Sequence, residues 1–390
     1  MASFWPDGRL ADTLGSFDLS GNGRFVLFES QGRTYRRDLR DDVTEQLALP
    51  RDHMPRAPVI TSGGRFVAYL NTDVVGRQGH SRLVADIYVH DVRRDVTRRV
   101  LRVSDRVGGA HLSEGPVLGG GLRYVAFASR DPDFALHDTN ARRDVFVLDR
   151  RSGHVDLVSA TPRGRPGNGL SCCMDMTADG RTVVFISVAS NLVRGDTNDT
   201  ADVFLRDLDA GTTTRLNVTA DGGQSRGPAW WPTVSADGST AAFIARPHSL
   251  GLSSTDNEWE ALVRDLVAGT TTPVAPDPLA GGSYRPTLSE DGRYVAYDSS
   301  RPDITSTPGC TDSHSHVYLH DRLEQTTTCL SPNLDPQILT DGVDAHISAD
   351  GAVVAFYSEL ELLPSLEFAE RFYAWRRTPP FPLTPSRTYP

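Results

Sequence analysis

Apolar residues fall on alternate positions in short runs along this chain, and the runs recur. Those that follow a glycine-containing turn read SGNGRFVLF (20–28), TSGGRFVAY (61–69), GGGLRYVAF (119–127), TADGRTVVF (177–185), SADGSTAAF (235–243), SEDGRYVAY (289–297) and SADGAVVAF (348–356). Take the residue after the turn as a marker: Arg24, Arg65, Arg123, Arg181, Ser239, Arg293 and Ala352. Val or Ala stands two places past each marker, and Phe or Tyr four places past it. A period of two predicts a strand with one buried face. The Asp-Gly, Asn-Gly and Gly-Gly pairs supply the positive φ that tight hairpin turns require. The markers are 41, 58, 58, 58, 54 and 59 residues apart. Such spacing predicts one supersecondary unit stacked on itself, since a single copy cannot bury its own apolar face.

A further strand follows in most copies: DIYVHD (86–91), DVFVLD (144–149), DVFLRD (202–207), ALVRD (261–265), HVYLHD (316–321) and, more weakly, FYAWRR (372–377). A turn and a Thr/Val-rich strand come next, as in TTTRLNV and TTTCLSP. Each repeat therefore predicts four short antiparallel strands. Helical periodicity is best at 359–371, where Pro364 interrupts it. Four-stranded repeats with Asp-Gly turns fit an all-β, seven-bladed β-propeller of four-stranded antiparallel blades. The repeat SEDGRYVAYDS (289–299) resembles the TolB-type (WD-like) β-propeller repeat family, whose core is S-x-D-G-R-x-[VI]-[AV]-[FY]-x-S. The resemblance runs over about 17–377 and implies blades near 17–50, 58–103, 116–160, 174–218, 232–275, 286–331 and 345–377. The last repeat lacks a fourth strand, which residues 4–14 would supply if both chain ends seal the ring. The tail 378–390 is rich in proline and unsuited to ladder hydrogen bonds. The family implies a fold far more firmly than a function, because propellers host many chemistries.

At 390 residues the chain exceeds a usual single core. Stacked blades remove that limit, so 1–377 reads as one propeller. A formal charge of -10 argues against nucleic-acid partners. No apolar stretch reaches the length of a membrane span. The opening MASFWPDGRLADT shows no basic segment followed by an apolar core, so a cytoplasmic protein and an exported one whose leader has been removed both stay open. All 40 basic residues are Arg, as a GC-rich bacterial genome favours. Schiff-base, lysine-bound pyridoxal phosphate and Walker-type phosphate-loop chemistry are thereby excluded.

The four cysteines are Cys172, Cys173, Cys310 and Cys329. Cys310 precedes the third strand of its blade and Cys329 ends the fourth, so a disulfide and two separate thiols both stay open. Adjacent residues on a strand point to opposite faces, so Cys172 and Cys173 are expected as a pair of thiols. No second close pair follows at zinc-ligand spacing.

The first strand of a propeller blade lines the central channel. Counting eight residues back from each marker gives Ser16, Ala57, Gly115, Cys173, Trp231, Arg285 and Asp344; six back gives Asp18, Val59, Val117, Asp175, Thr233, Thr287 and His346. The five-back column (Leu19, Ile60, Leu118, Met176, Val234, Leu288, Ile347) is wholly apolar and is expected between blades. Architecture alone asks for like residues at like positions, whereas an asymmetric ligand asks for unlike ones. The candidate site is therefore Asp18, Asp175, Asp344 and His346 for acid–base chemistry, with Arg285, Trp231 and Cys173 for binding. Arg56, Glu114, Trp230 and Tyr284 flank it nine back from their markers. The plain alternative is a set of polar groups facing water.

Long loops at 129–143, 187–201, 245–259 and 299–315 are expected at the same mouth. Two carry Asp-x-Asn-x-x-x-Asp: Asp138, Asn140 and Asp144, then Asp196, Asn198 and Asp202. Oxygen ligands at that spacing suit calcium, but the glycine and further acids of a full loop motif are missing, and an Asx turn accounts for them. His314, His316 and His320 alternate on one strand and suit a transition metal; as ordinary repeat positions they read as a solvated face. Asp344, His346 and Ser348 supply triad residue types, yet side chains two apart on a strand run parallel, and neither G-x-S-x-G nor H-E-x-x-H occurs.

Two functions stay open. One is a binding propeller that recognises a small molecule, peptide or partner protein at the channel mouth. The other is an enzyme of lyase, isomerase or cyclase type with His346 as acid or base, Arg285 holding an anionic group and Trp230 and Trp231 stacking on a ring. A divalent metal held by His346 and the aspartates is a variant of the second; no other cofactor is expected.

Overall fold

The computed structural model describes residues 14–50, 53, 55–75, 82–105, 115–131, 134, 142–252, 258–274, 282–302, 304–311, 314–332, 342–358 and 371–377. They form a seven-bladed β-propeller. Six blades are four-stranded antiparallel sheets, and the seventh has three strands among the described residues. Residues 4–13 of the proposed closing segment 4–14, residues 359–370 of the helical candidate 359–371 and the tail 378–390 lie outside the described residues, and Leu14 and Arg371 each begin a strand.

Each blade begins with an inner strand: Leu14–Leu19, Pro55–Ile60, Val117–Gly119, Ser171–Met176, Ala229–Val234, Ser283–Leu288 and Gly342–Ile347. The turn that follows is held by a small box of hydrogen bonds. In blade six the Ser289 hydroxyl donates to Asp291 at 2.7 Å and accepts the Tyr294 N–H at 2.9 Å, while Asp291 accepts the Arg293 N–H at 3.0 Å. The same box forms at Ser20/Asn22, Thr177/Asp179, Ser235/Asp237 and Ser348/Asp350. This explains why the sequence keeps a hydroxyl and an acid or amide at that spacing. The marker arginine then reaches across to the aspartate ending the third strand, as Arg293 does to Asp321 at 2.7 Å and Arg123 to Asp149 at 2.8 Å. Burial resists the charge on Asp321, but the hydrogen bond from Arg293 and two backbone N–H groups hold its pKa down at about 2.

Aromatic pairs fill the blades. The residue four past the marker stacks on its cross-strand partner in Phe28–Tyr35, Tyr69–Tyr88, Phe127–Phe146, Phe185–Phe204, Tyr297–Tyr318 and Phe356–Tyr373, with centroids 5.4–5.8 Å apart. Such pairs add about 0.5–1.5 kcal/mol each to their burial. Arg or His on the third strand bonds a threonine seven residues on, as in Arg206–Thr213 and His320–Thr327. His316 and His320 are buried, at 0% and 4% exposure, and not the solvated face the repeat suggested: His316 Nδ1 meets the Ser331 carbonyl oxygen and His320 Nδ1 the Thr327 hydroxyl.

Backbone bonds between turns carry the ring from blade to blade. The Asn22 N–H donates to Ser62, Ala178 to Ala236, Asp237 to Glu290 and Glu290 to Ala349; the Ala349 N–H returns to Gly21 at 2.7 Å. Blades meet closely here. A Cβ on Gly180, whose φ is +70°, would lie 2.4 Å from Cγ of Tyr124 in the preceding blade. Phe17 and Phe372, 4.2 Å apart by centroid, pack the seam between the first and last blades. The structure joins Cys310 to Cys329 in a disulfide.

Candidate functional site

The inner strands are not regular. In blades two, four, five, six and seven the ladder slips by one residue, between Arg56 and Val59, Cys172 and Asp175, Trp230 and Thr233, Tyr284 and Thr287, and Val343 and His346. Each slip is a β-bulge. At its centre in these five blades is a residue of positive φ, namely Ala57 at 45°, Cys173 at 53°, Trp231 at 47°, Arg285 at 47° and Asp344 at 59°, whereas blade one slips likewise between Leu14 and Phe17 with no positive φ at Gly15 or Ser16. These five are eight-back residues of the sequence alignment. None is glycine, although glycine would take that backbone at least cost. Blade three does carry glycine: a Cβ at Gly115 would lie 2.4 Å from the Ala57 carbonyl oxygen.

The bulges of blades five, six and seven border a channel cavity of about 870 Å³. Trp231, Arg285 and Asp344 line it, as do Asp18, Asp175 and His346. Trp231 is 47% exposed. The Arg285 guanidinium lies 5.7 Å from the Trp231 ring centroid and 3.9 Å from an Asp344 oxygen. Cys173 instead lines a second cavity of about 240 Å³ with Ser16, Ala57 and Gly115. Arg56, Trp230 and Tyr284 lie in the ladder beside their bulges and outside the lining of both cavities. Glu114 is outside the described residues.

The six-back residues are engaged differently. One Asp18 oxygen accepts the N–H of Ile60 in the next blade at 2.8 Å. Its other oxygen accepts the Leu19 N–H at 2.8 Å and meets His346 Nδ1 of the last blade at 3.1 Å. Asp175 takes the Val234 N–H at 3.0 Å and the Thr233 hydroxyl at 2.7 Å from the blade that follows it. Thr287 donates to the Ala345 carbonyl at 3.1 Å. This column thus bonds inner strands to one another. The five-back residues, expected between blades, are buried or half-buried, and most of them also border the cavity.

Charge in the channel follows from these contacts. Burial pushes the Asp175 carboxyl up, against its three hydrogen bonds. Burial also resists charge on His346, but the hydrogen bond and charge of Asp18, joined by Asp344, outweigh it and raise the imidazole pKa. The His346 ring packs on Phe17 at 4.6 Å between centroids. Nδ1 faces Asp18, which leaves Nε2 as the other titrating atom.

Behind the mouth lies a group that the alignment of inner strands missed. Asp298 is 4% exposed, and its Oδ1 has no hydrogen-bond partner among the described residues. Burial raises its pKa to about 7; Arg285 opposes the rise and Asp344 adds to it. The signal was present five places past the markers, where the column reads Glu29, Leu70, Ala128, Ile186, Ile244, Asp298 and Tyr357. Glu29 is the other acid there; burial raises its pKa too, although Ser16 donates to it at 2.5 Å.

Of the loop acids, Asp138 and Asn140 lie outside the described residues. Asp144 accepts the Ser159 hydroxyl at 2.6 Å. Asp202 accepts from Asn217 at 2.6 Å and from Asn198 at 3.2 Å. The Arg215 guanidinium lies between Asp196 and Asp202, at 3.3 and 3.2 Å, where a cation bridging them would have to be. Cys310, His316 and Cys329 bring three ligand atoms within 4.8 Å of one another. Both sulfurs are joined in the disulfide, and His316 Nδ1 is 2.8 Å from the Ser331 carbonyl oxygen.

No family model and no curated protein matches the chain. Among solved structures it is similar to the β-propeller domain of the trilobed protease from Pyrococcus furiosus, at 11% identity and a TM-score of 0.56, over 96% of this chain and 94% of that one. It is also similar to a putative TolB from Agrobacterium tumefaciens, at 14% identity and a TM-score of 0.41, covering 95% and 91% of the two chains. A third is dipeptidyl peptidase 4 from Porphyromonas gingivalis, at 14% identity and a TM-score of 0.48, where 94% of this chain matches 58% of the other. At 11% identity, the likeness to the Pyrococcus furiosus domain shows a shared propeller fold and no more.

Proposed function

We propose that the chain is a binding propeller of TolB-like type, recognising a small molecule or an extended peptide at the bulged mouth of its channel. One observation carries this reading: three unlike side chains, Trp231, Arg285 and Asp344, occupy positive-φ positions of adjacent blades bordering the cavity. A non-glycine residue there costs about 1–2 kcal/mol relative to glycine. Trp231 offers an apolar face, and Arg285 and Asp344 offer charges of both signs, so a ligand with an aromatic or aliphatic body and a polar head fits this wall. Trp231→Gly and Arg285→Gly should keep or raise thermal stability and lose the ligand. A panel of small aromatic acids, amines and short peptides, screened by thermal shift on the full chain, tests this. Ligands that stabilise both variants as much as the wild type would remove the mouth from the binding reading.

The contact between His346 and Asp18 favours a second reading, acid–base catalysis on a bound small molecule with His346 Nε2 exchanging the proton. His346→Gln should then retain binding and abolish turnover of any panel compound that the wild type transforms.

A further inference from the structure

Cys172 and Cys173 are neighbours on the inner strand of blade four, where regular pleating would turn their side chains apart. The bulge removes that separation. Cys172 remains in the ladder opposite Ile186, whereas Cys173 is the extra residue, with φ of 53°. The two Sγ atoms consequently lie 2.8 Å apart, well inside the van der Waals contact of two sulfurs. Cys172 is buried; Cys173 is partly exposed and borders the smaller mouth cavity with Ser16, Ala57 and Gly115. One thiol is thus reachable by a small molecule and the other is held directly behind it.

We propose that this pair is a reactive vicinal dithiol that closes reversibly to a disulfide by exchange with small-molecule disulfides entering the mouth. The Cys173 thiolate attacks one sulfur of R–S–S–R, forming a mixed disulfide and releasing RS⁻. The Cys172 thiolate then attacks Cys173 Sγ and expels the second RS⁻. Two protein thiols are oxidised, one small disulfide is reduced to two thiols, and the protons lost by the cysteines go to the leaving thiolates. Adjacent Cα atoms are about 3.8 Å apart, closer than the 4.4–6.8 Å usual for a disulfide. The closed ring is therefore strained and reopens readily, unlike the bond between Cys310 and Cys329.

The experiment uses the full chain equilibrated with oxidised and reduced glutathione over a range of ratios, quenched in acid, alkylated and digested with trypsin. Both cysteines fall in one peptide, Gly164–Arg181, because the Arg165–Pro166 bond resists cleavage; Cys310 and Cys329 fall elsewhere. This peptide should pass from a doubly alkylated form to an unalkylated form lighter by two hydrogens, and return as reduced glutathione is raised. Cys172→Ser should stop at one glutathione on Cys173, while Cys173→Ser should react at least tenfold more slowly. Double alkylation at every ratio, two glutathiones on the peptide, or equal reaction of the two variants would overturn the proposal.

Discussion

Removing the charge from Asp298 should make the protein more stable at alkaline pH and flatten its response to pH. The carboxyl is buried behind Arg285 and Asp344, and its pKa in the fold is about 7 against an ordinary value of 3.8. Between those values the folded chain binds more protons than the unfolded one, so stability falls as pH rises through that window. Fully developed, the difference is about 4 kcal/mol at 1.36 kcal/mol per pKa unit, of which about 3 kcal/mol falls between pH 5 and 8. His346 moves in the same direction: its pKa is raised, so its stabilisation is full below about 6.5 and is lost as pH rises through its folded value. The quantity to measure is therefore the difference between wild type and Asp298→Asn. Urea unfolding of both at pH 5, 6.5 and 8 gives it, with the shared His346 contribution cancelling. The variant should gain on the wild type by about 3 kcal/mol across that range. A difference that stays flat with pH would show that Asp298 does not titrate there, and that the charged wall of the mouth is not coupled to it.

Two further outcomes follow from buried contacts. Arg215→Met leaves Asp196 and Asp202 facing each other at 5% and 1% exposure and should cost about 3–5 kcal/mol at neutral pH. Unfolding at pH 4 should recover part of that loss, and rescue by calcium would revive the cation reading of this loop. Replacing both Cys310 and Cys329 by alanine opens a disulfide spanning 19 residues of sequence. It should lower the unfolding free energy by about 3 kcal/mol, read by urea titration without reductant.

The fold was legible because most repeats state the same local physics. A hydroxyl and an acid box the turn, an arginine clasps the strand end, and an aromatic stacks across the sheet. Five turn boxes, six stacked pairs and five marker arginines outweigh the departures, as at Ser239 and Ala352, where the arginine is absent. The site was legible only as a set of positions. Aligning inner strands found the residues that border the cavity, but one sequence does not say which way a bulged side chain turns. Cys172 and Cys173 show the limit: a regular strand separates them, and a single inserted residue brings their sulfurs together. Asp298 was missed for a different reason. It lies on the second strand, and only its apolar counterparts Leu70, Ala128, Ile186 and Ile244 mark it as out of place.

The bulge divides two jobs between residues two apart. At the six-back position the strand has returned to its regular path, so Asp18, Asp175 and Thr287 reach sideways and bond the neighbouring blade. Their polarity serves the ring, which closes through His346 and Asp18 across 328 residues of sequence. At the eight-back position the positive φ lifts the side chain out of the ladder, and Trp231, Arg285 and Asp344 meet across blades through long contacts, 5.7 Å from guanidinium to ring and 3.9 Å from guanidinium to carboxylate. Trp231 and Arg285 can therefore be exchanged without opening the ring, whereas Asp175 cannot lose its oxygens without leaving the Val234 N–H of the next blade unsatisfied. Side chains at such positions can change while the propeller beneath them stays the same. The same separation explains why unlike residues in one column were not enough to tell recognition from architecture: here both columns are unlike, and only the hydrogen bonds distinguish them.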